Sequence, residues 1–210
     1  MIKISVIIFF TFWNFSSNTL YSQEPTDLEA LVRSGEVFLD PDYMEPFNGP
    51  VVRFWESGKE RVVAMLQDGR TDGPVQMYHS NGNLSYTAFH RSGSAEGIEK
   101  TFYEDGSLFE ERSYTGGEYD GPFKKFYPNK SLNYSGGYKK GLQNGAWLRY
   151  YENGSLNVKV IFREGVQHGM VEDYSEQGEL KTKGMMQDGV QCGEWIEDLV
   201  FLDYHPCKIQ

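Results

Sequence analysis

Apolar and polar positions alternate along most of this chain in short runs. Leu156, Val158, Val160 and Phe162 recur at every second place, with Asn157, Lys159 and Ile161 between them. A period of two is the pattern of a β-strand that turns one face to a core. A shorter segment rich in aromatics precedes each alternating run. The two are joined through Asn81-Gly82, Asp105-Gly106 or Asn153-Gly154. Such dipeptides favour a two-residue hairpin turn with positive φ at both central positions. Each pair of segments therefore predicts a β-hairpin, and no segment within them carries helical spacing.

The hairpins repeat. Gly49, Gly73, Gly97, Gly121, Gly145, Gly169 and Gly193 stand 24 residues apart. Gly58, Gly82, Gly106, Gly154 and Gly178 keep the same period, with Lys130 in the one missing slot. Gly69, Gly93, Gly117, Gly141, Gly165 and Gly189 keep it again. Self-similarity at one period without insertions marks a stacked repeat architecture. Other columns share the period. Phe54, Tyr78, Phe102, Phe126, Tyr150 and Tyr174 follow the first glycine by five places. Val51, Val75, Glu99, Phe123, Trp147, Val171 and Trp195 follow it by two. Leu84, Leu108, Leu132, Leu156 and Leu180 follow the turn, with Glu60 in the first unit. A second connection, such as Asp68-Gly69-Arg70-Thr71-Asp72-Gly73, joins one unit to the next.

The expected fold is all-β: an elongated antiparallel meander of stacked hairpins, with six 24-residue repeats and a partial seventh. Six units at the usual strand spacing extend about 55–60 Å. A single sheet must still bury one face. Twist and aromatic stacking between successive repeats are the expected solution, leaving an aromatic strip exposed. The array spans residues 47–195. Residues 23–46 are out of phase and read as an N-terminal cap, since repeat arrays need covered ends. Within that cap, Thr26-Asp27-Leu28-Glu29 fits a helix capping box, and Gly35–Leu39 reads as a strand. Residues 196–210 read as a C-terminal cap or tail.

Residues 1–22 differ in kind. Lys3 is their only charge, Ile4–Phe15 is largely apolar, and Ser22 precedes Gln23. This is the layout of a secretory signal peptide cut near Ser22, so the chain is expected in the periplasm, the outer envelope or the medium. Cys192 and Cys207 are the only cysteines, and an oxidising compartment lets them pair as a disulfide. The chain carries a net charge of −10, and losing Lys3 with the leader makes it more negative. That argues against nucleic acid and against an anionic membrane surface as partners, since both want a basic patch.

Gly145-Ala146-Trp147-Leu148-Arg149-Tyr150-Tyr151-Glu152-Asn153-Gly154-Ser155-Leu156 resembles the repeat of the MORN family in its bacterial variant, G-x-W-x-x-Y-Y-x-N-G-x-L. Glu45-Pro46-Phe47-Asn48-Gly49 resembles the lead-in of bacterial proteins labelled YwqK-type antitoxins. The resemblance covers about residues 45–195. It implies an elongated sheet of hairpins and a scaffold or binding role without catalysis. Among relatives it also implies membrane or phosphoinositide contacts and, in some arrays, a homodimer. Lys130, Glu60 and Glu99 depart from the pattern and are expected to weaken their own repeats.

No constellation points to catalysis, a metal or a cofactor. His79, His90, His168 and His205 lack zinc spacing and read as surface residues. Glu56, Glu104, Glu152 and Glu176 recur at turn tips, and Ser107, Ser131 and Ser155 follow turns without a G-x-S-x-G context. Gly116-Gly117 and Gly136-Gly137 lack the lysine and helix of a phosphate loop. The candidate functional surface is the column Phe54, Tyr78, Phe102, Phe126, Tyr150 and Tyr174, read as core or as a partner-binding strip. The expected function is an exported, non-catalytic scaffold for a protein partner. The alternatives are an antitoxin or immunity protein for one toxin, and an envelope glycan-binding module.

Overall fold

Strands begin wherever the alternating pattern begins. The computed structural model describes residues 23–208, so the signal-peptide reading of residues 1–22 lies outside the described residues. Seventeen strands form one sheet. Each unit contributes a hairpin: Gly49–Phe54 with Glu60–Gln67, Arg70–Tyr78 with Leu84–Arg91, Ser94–Phe102 with Leu108–Thr115, and Glu118–Phe126 with Leu132–Lys139. Gly145–Tyr150 with Leu156–Arg163 and Gly169–Tyr174 with Leu180–Gln187 follow, each led by a two-residue strand. Val190–Glu197 and Val200–Asp203 close the series. From Gly49 onward the two strands of each hairpin pair antiparallel, as in Val75 opposite Ala88 and Trp147 opposite Val160, and successive hairpins pair antiparallel with each other, as in Ala64 opposite Val75. The described residues contain no α-helix.

The turns are the reverse of the expected assignment. At the Asn-Gly tips only glycine has positive φ, as at Gly82 (97°), while Asn81 does not. The Gly82 amide donates to the His79 carbonyl at 2.9 Å, and the His79 amide donates to the Asn83 carbonyl at 2.8 Å. This is the three-residue loop in which a left-handed glycine closes a type I turn. The two-residue turns with two positive φ values lie at the opposite edge. Asp68 (50°) and Gly69 (71°) join Gln67 directly to Arg70, which are paired. Glu164 (50°) and Gly165 (80°) do the same between Arg163 and Val166. The anticipated longer connection therefore does not exist: Arg70-Thr71-Asp72-Gly73 already belongs to the next strand.

Strand alternation and register place a single row of side chains across the whole sheet. Val51 faces Ala64, Ala64 faces Val75, and Val75 faces Ala88. Glu99, Arg112, Phe123 and Gly136 continue the row. Trp147 and Val160 come next, then Val171 and Gly184. Trp195 opposite Leu202 ends it. Bulky and small residues alternate along the row from Val51 to Ala88, and glycine separates Phe123 from Trp147 and Val171 from Trp195. A Cβ on Gly136 would overlap the Trp147 indole, and a Cβ on Gly184 would overlap Trp195. Val51, Ala64, Val75, Ala88, Trp147 and Trp195 are buried in this row. The opposite face carries charges in cross-strand sequence, with Lys100–Glu111 at 3.3 Å, Lys159–Glu172 at 3.4 Å and Lys183–Glu172 at 3.2 Å.

The ends are closed differently. Thr26 and Asp27 form a short strand parallel to Val51 and Val52, the one parallel pairing in the sheet. The expected helix is absent. Asp27, not Thr26, caps a single 3-10 turn, Leu28–Ala30, by accepting the Glu29 amide at 2.9 Å. Val37–Leu39 pairs with Val32–Ser34 as a separate small hairpin. Leu28, Leu31, Phe38 and Phe47 pack on Val51, Ala64, Leu66 and Val75. At the other end Cys192 and Cys207 are joined in a disulfide, with Cα atoms 5.0 Å apart. The tail also exchanges backbone hydrogen bonds with Gly193 through Tyr204 and His205.

Lys130 occupies a tip-glycine slot with φ at 70°. Its amide still closes the turn on the Tyr127 carbonyl at 2.8 Å. A side chain in that left-handed conformation costs about 1 kcal/mol relative to glycine. Lys130→Gly should therefore raise the urea midpoint of unfolding. An unchanged or lower midpoint would show that this turn carries no strain.

Candidate binding face

The aromatic column stands at the end of the first strand of each hairpin. Phe54 lies opposite Glu60, Tyr78 opposite Leu84, Phe102 opposite Leu108, Phe126 opposite Leu132, Tyr150 opposite Leu156 and Tyr174 opposite Leu180. Alternation puts this column on the charged face, two places beyond Gln76, Lys100, Lys124 and Glu172. It forms a rim beside the tips. Phe54 is 45% exposed and the other five rings are half-buried.

The next residue along holds the units together. Trp55 Nε1 donates to the Tyr78 carbonyl at 3.2 Å. His79 Nε2 meets the Phe102 carbonyl at 3.0 Å. The Tyr103, Tyr127 and Tyr151 hydroxyls donate to the Phe126, Tyr150 and Tyr174 carbonyls at 2.9, 2.8 and 3.0 Å. Turn residues add to this ladder. Asn81 Nδ2 donates to the Glu104 carbonyl at 2.7 Å, and Ser131 Oγ to the Glu152 carbonyl at 2.9 Å. Ser155 Oγ donates to the Glu176 carbonyl at 2.9 Å. The tip serines and glutamates thus serve the joints between repeats. Position 55 and its sisters also keep the 24-residue period, and that periodicity was the available signal for them.

The opposite, aromatic face carries a second set of rings that the column count passed over. Tyr114 and Tyr119 lie 4.8 Å apart by ring centroid, and Tyr119 and Tyr138 5.0 Å. Tyr138 and Trp147 meet edge to face at 5.1 Å, while Phe123 stacks on Trp147 at 5.3 Å. Phe162 follows at 6.3 Å from Trp147. The anticipated stacking between repeats is carried by these rings. Beside them a hollow of about 230 Å³ is lined by Tyr134, Gln143, Trp147, Arg149, Val160 and Phe162, among others.

Where this run begins, the row turns polar. The Glu99 carboxylate accepts hydrogen bonds from the Tyr86 hydroxyl at 2.9 Å and the Tyr114 hydroxyl at 3.4 Å. Arg112 is ion-paired with Glu110, a residue only 6% exposed, and donates to the Tyr119 hydroxyl at 2.7 Å. Its guanidinium lies 5.4 Å from the Tyr119 ring centre. Burial and the neighbouring Glu99 carboxylate push the Tyr86 hydroxyl well above its ordinary range. Burial and hydrogen bonding to Tyr119 do the same for Tyr114. Both phenols therefore stay protonated and keep donating. Glu99 and Arg112 are tied into this network, a different role from the simple weakening expected of Glu99.

Three histidines are also more than surface residues. His79 serves the ladder. His90 is half-buried, with Nδ1 at 2.8 Å from Thr71 Oγ1, and burial lowers its pKa, which keeps it neutral. His168 lies 3.2 Å from Asp188. The arrangement offers rings, phenols, one carboxylate and one guanidinium on an open sheet, which is the chemistry of binding.

Comparison with known families matches residues 71–91, 95–115 and 143–164 to the MORN repeat variant. Each match covers one hairpin with its three-residue tip, and together they take in three of the six units. No curated protein matches the chain.

Tyr127→Phe should report on the ladder directly. It removes one hydroxyl whose partner is the Tyr150 carbonyl. The expected loss is about 1 kcal/mol of stability with the fold intact. An unchanged urea midpoint would remove the ladder from the forces holding the array.

Proposed function

We propose that this chain is an exported, non-catalytic repeat scaffold that binds a protein partner along its aromatic face. The observation that carries this is the run of rings from Tyr114 to Phe162 on a sheet that, among the described residues, has no second layer over it. The described cap residues pack only on the first units. Tyr114, Tyr119, Phe123, Tyr138 and Phe162 are half-buried around the buried Trp147, and aromatic side chains gathered on one face favour protein contact. MORN repeats serve as protein- and membrane-binding modules. The net charge of −10 favours a protein over an anionic membrane. Export rests on the character of residues 1–22. Neutralisation of one dedicated toxin is a special case of the same reading, and a homodimer is another.

The test uses the mature chain recovered from the envelope, expected to begin at Gln23, as bait for cross-linking and mass spectrometry. Tyr119→Ala with Tyr138→Ala alters the aromatic face, and Tyr78→Ala with Tyr150→Ala alters the tip column. Thermal melts establish which variants remain folded. The face variant should melt cooperatively and lose a protein that the wild type enriches, while the column variant keeps it. Loss only in the column variant would move the site to the tips. Enrichment of wall glycan without protein, or capture that survives in both variants, would overturn the reading. A captured toxin that the chain suppresses would narrow it.

A further inference from the structure

The repeat supplies its own controls for Glu99. At the same position the other units carry Val51, Val75, Phe123, Trp147, Val171 and Trp195. Its cross-strand partner Arg112 stands where sister strands carry Ala64, Ala88, Gly136, Val160 and Gly184. Both departures fall on one pair, in the middle of the array, on the aromatic face. Neither is needed to make a hairpin, since five other units manage without them. A charged pair in a half-buried position costs desolvation that an apolar pair does not.

The charges are not evenly matched. Arg112 is committed to Glu110 and to the Tyr119 hydroxyl. Glu99 has two phenol donors and, among the described residues, forms no ion pair. The nearby His90 is held neutral by its burial. A half-buried carboxylate therefore lies beside Tyr86 and Tyr114 without a cation of its own. Next to it, Arg112 lies over the ring of Tyr119, the neighbour of Tyr114, so a cation already sits against a phenol on this face.

We propose that Glu99 is the receptor for a basic side chain: the polypeptide that lies on the aromatic face presents a lysine or arginine to this carboxylate beside Tyr86 and Tyr114. The assignment rests on the reading of that face as a protein-binding surface and names the partner's chemistry there. Apolar side chains of the partner meet the rings from Tyr119 to Phe162, and its cation supplies the missing charge. Pairing across an interface that excludes water gives specificity that the apolar contacts lack.

The probe is a synthetic nonapeptide of alternating valine and lysine, with a lysine-acetylated counterpart, titrated by fluorescence anisotropy near physiological salt so that long-range attraction is screened. Glu99→Gln keeps the shape and removes the charge. Glu118→Gln, on the exposed start of the following strand, is the control for net charge. Glu99→Gln should weaken the basic peptide about tenfold while Glu118→Gln stays within about twofold. Acetylation should remove the difference between wild type and Glu99→Gln. Equal weakening by both substitutions would reduce the effect to the chain's overall negative charge and overturn the proposal. So would peptide binding that ignores acetylation, or no binding at all. The Tyr119→Ala, Tyr138→Ala variant separates the two levels. If it loses the captured protein while Glu99→Gln retains it, the face reading stands and the Glu99 assignment falls. If it retains the protein, the face reading itself falls.

Discussion

The structure depends on side chains in one sheet burying one another. A single layer has no partner to pack against, so its apolar face must be closed by cross-strand neighbours. The 24-residue period delivers two residues of each unit into the same row, and in four of the six units the second is alanine or glycine. Val51 sits beside Ala64 and Val75 beside Ala88. Where the bulky member grows to tryptophan, glycine lies beneath it, at Gly136 and Gly184. Size is traded between neighbouring strands so that the row stays closed.

The two edges of the sheet do different work. The edge of two-residue turns keeps strands in register, because twin left-handed residues match the twist of the hairpin. The other edge carries the three-residue tips and the ladder of side chain to backbone bonds. Trp55, His79, Tyr103, Tyr127 and Tyr151 each reach the carbonyl of the column residue in the following unit. The N-terminal cap closes the first unit's apolar row, and the disulfide holds the tail on the last full strand. Every joint is thus between adjacent units, which makes stability a sum of neighbour terms.

The fold was legible because its signals are local. Period-two patterning is a property of one strand and turn glycines of one hairpin, and their recurrence every 24 residues made the strands and the repeat legible. The turn types were interchanged because Asn-Gly serves two loops. The five residues from His79 to Asn83, between the paired Tyr78 and Leu84, were the clue to the longer one. The site was harder to read. The column Tyr78 and its sisters stood out because it keeps one slot in every unit, whereas Tyr119, Tyr138 and Trp147 come from different slots and meet only through cross-strand register. Gly136 and Gly184 were lost among turn glycines, although they follow bulky row members by thirteen places. Glu99 looked like a defect in its own repeat, because its partner Arg112 comes from the neighbouring strand.

If neighbouring units are coupled through the row, its polar interruption should be the weakest joint inside the array. Native-state hydrogen exchange of the intact, disulfide-bonded chain measures this strand by strand. Amides of Ser94–Phe102 and Leu108–Thr115 should open more readily than those of Arg70–Tyr78 and Leu84–Arg91 on one side and Gly145–Tyr150 and Leu156–Arg163 on the other. Uniform protection across these hairpins, or a minimum at a unit whose row is wholly apolar, would contradict the view that the row holds the repeats together.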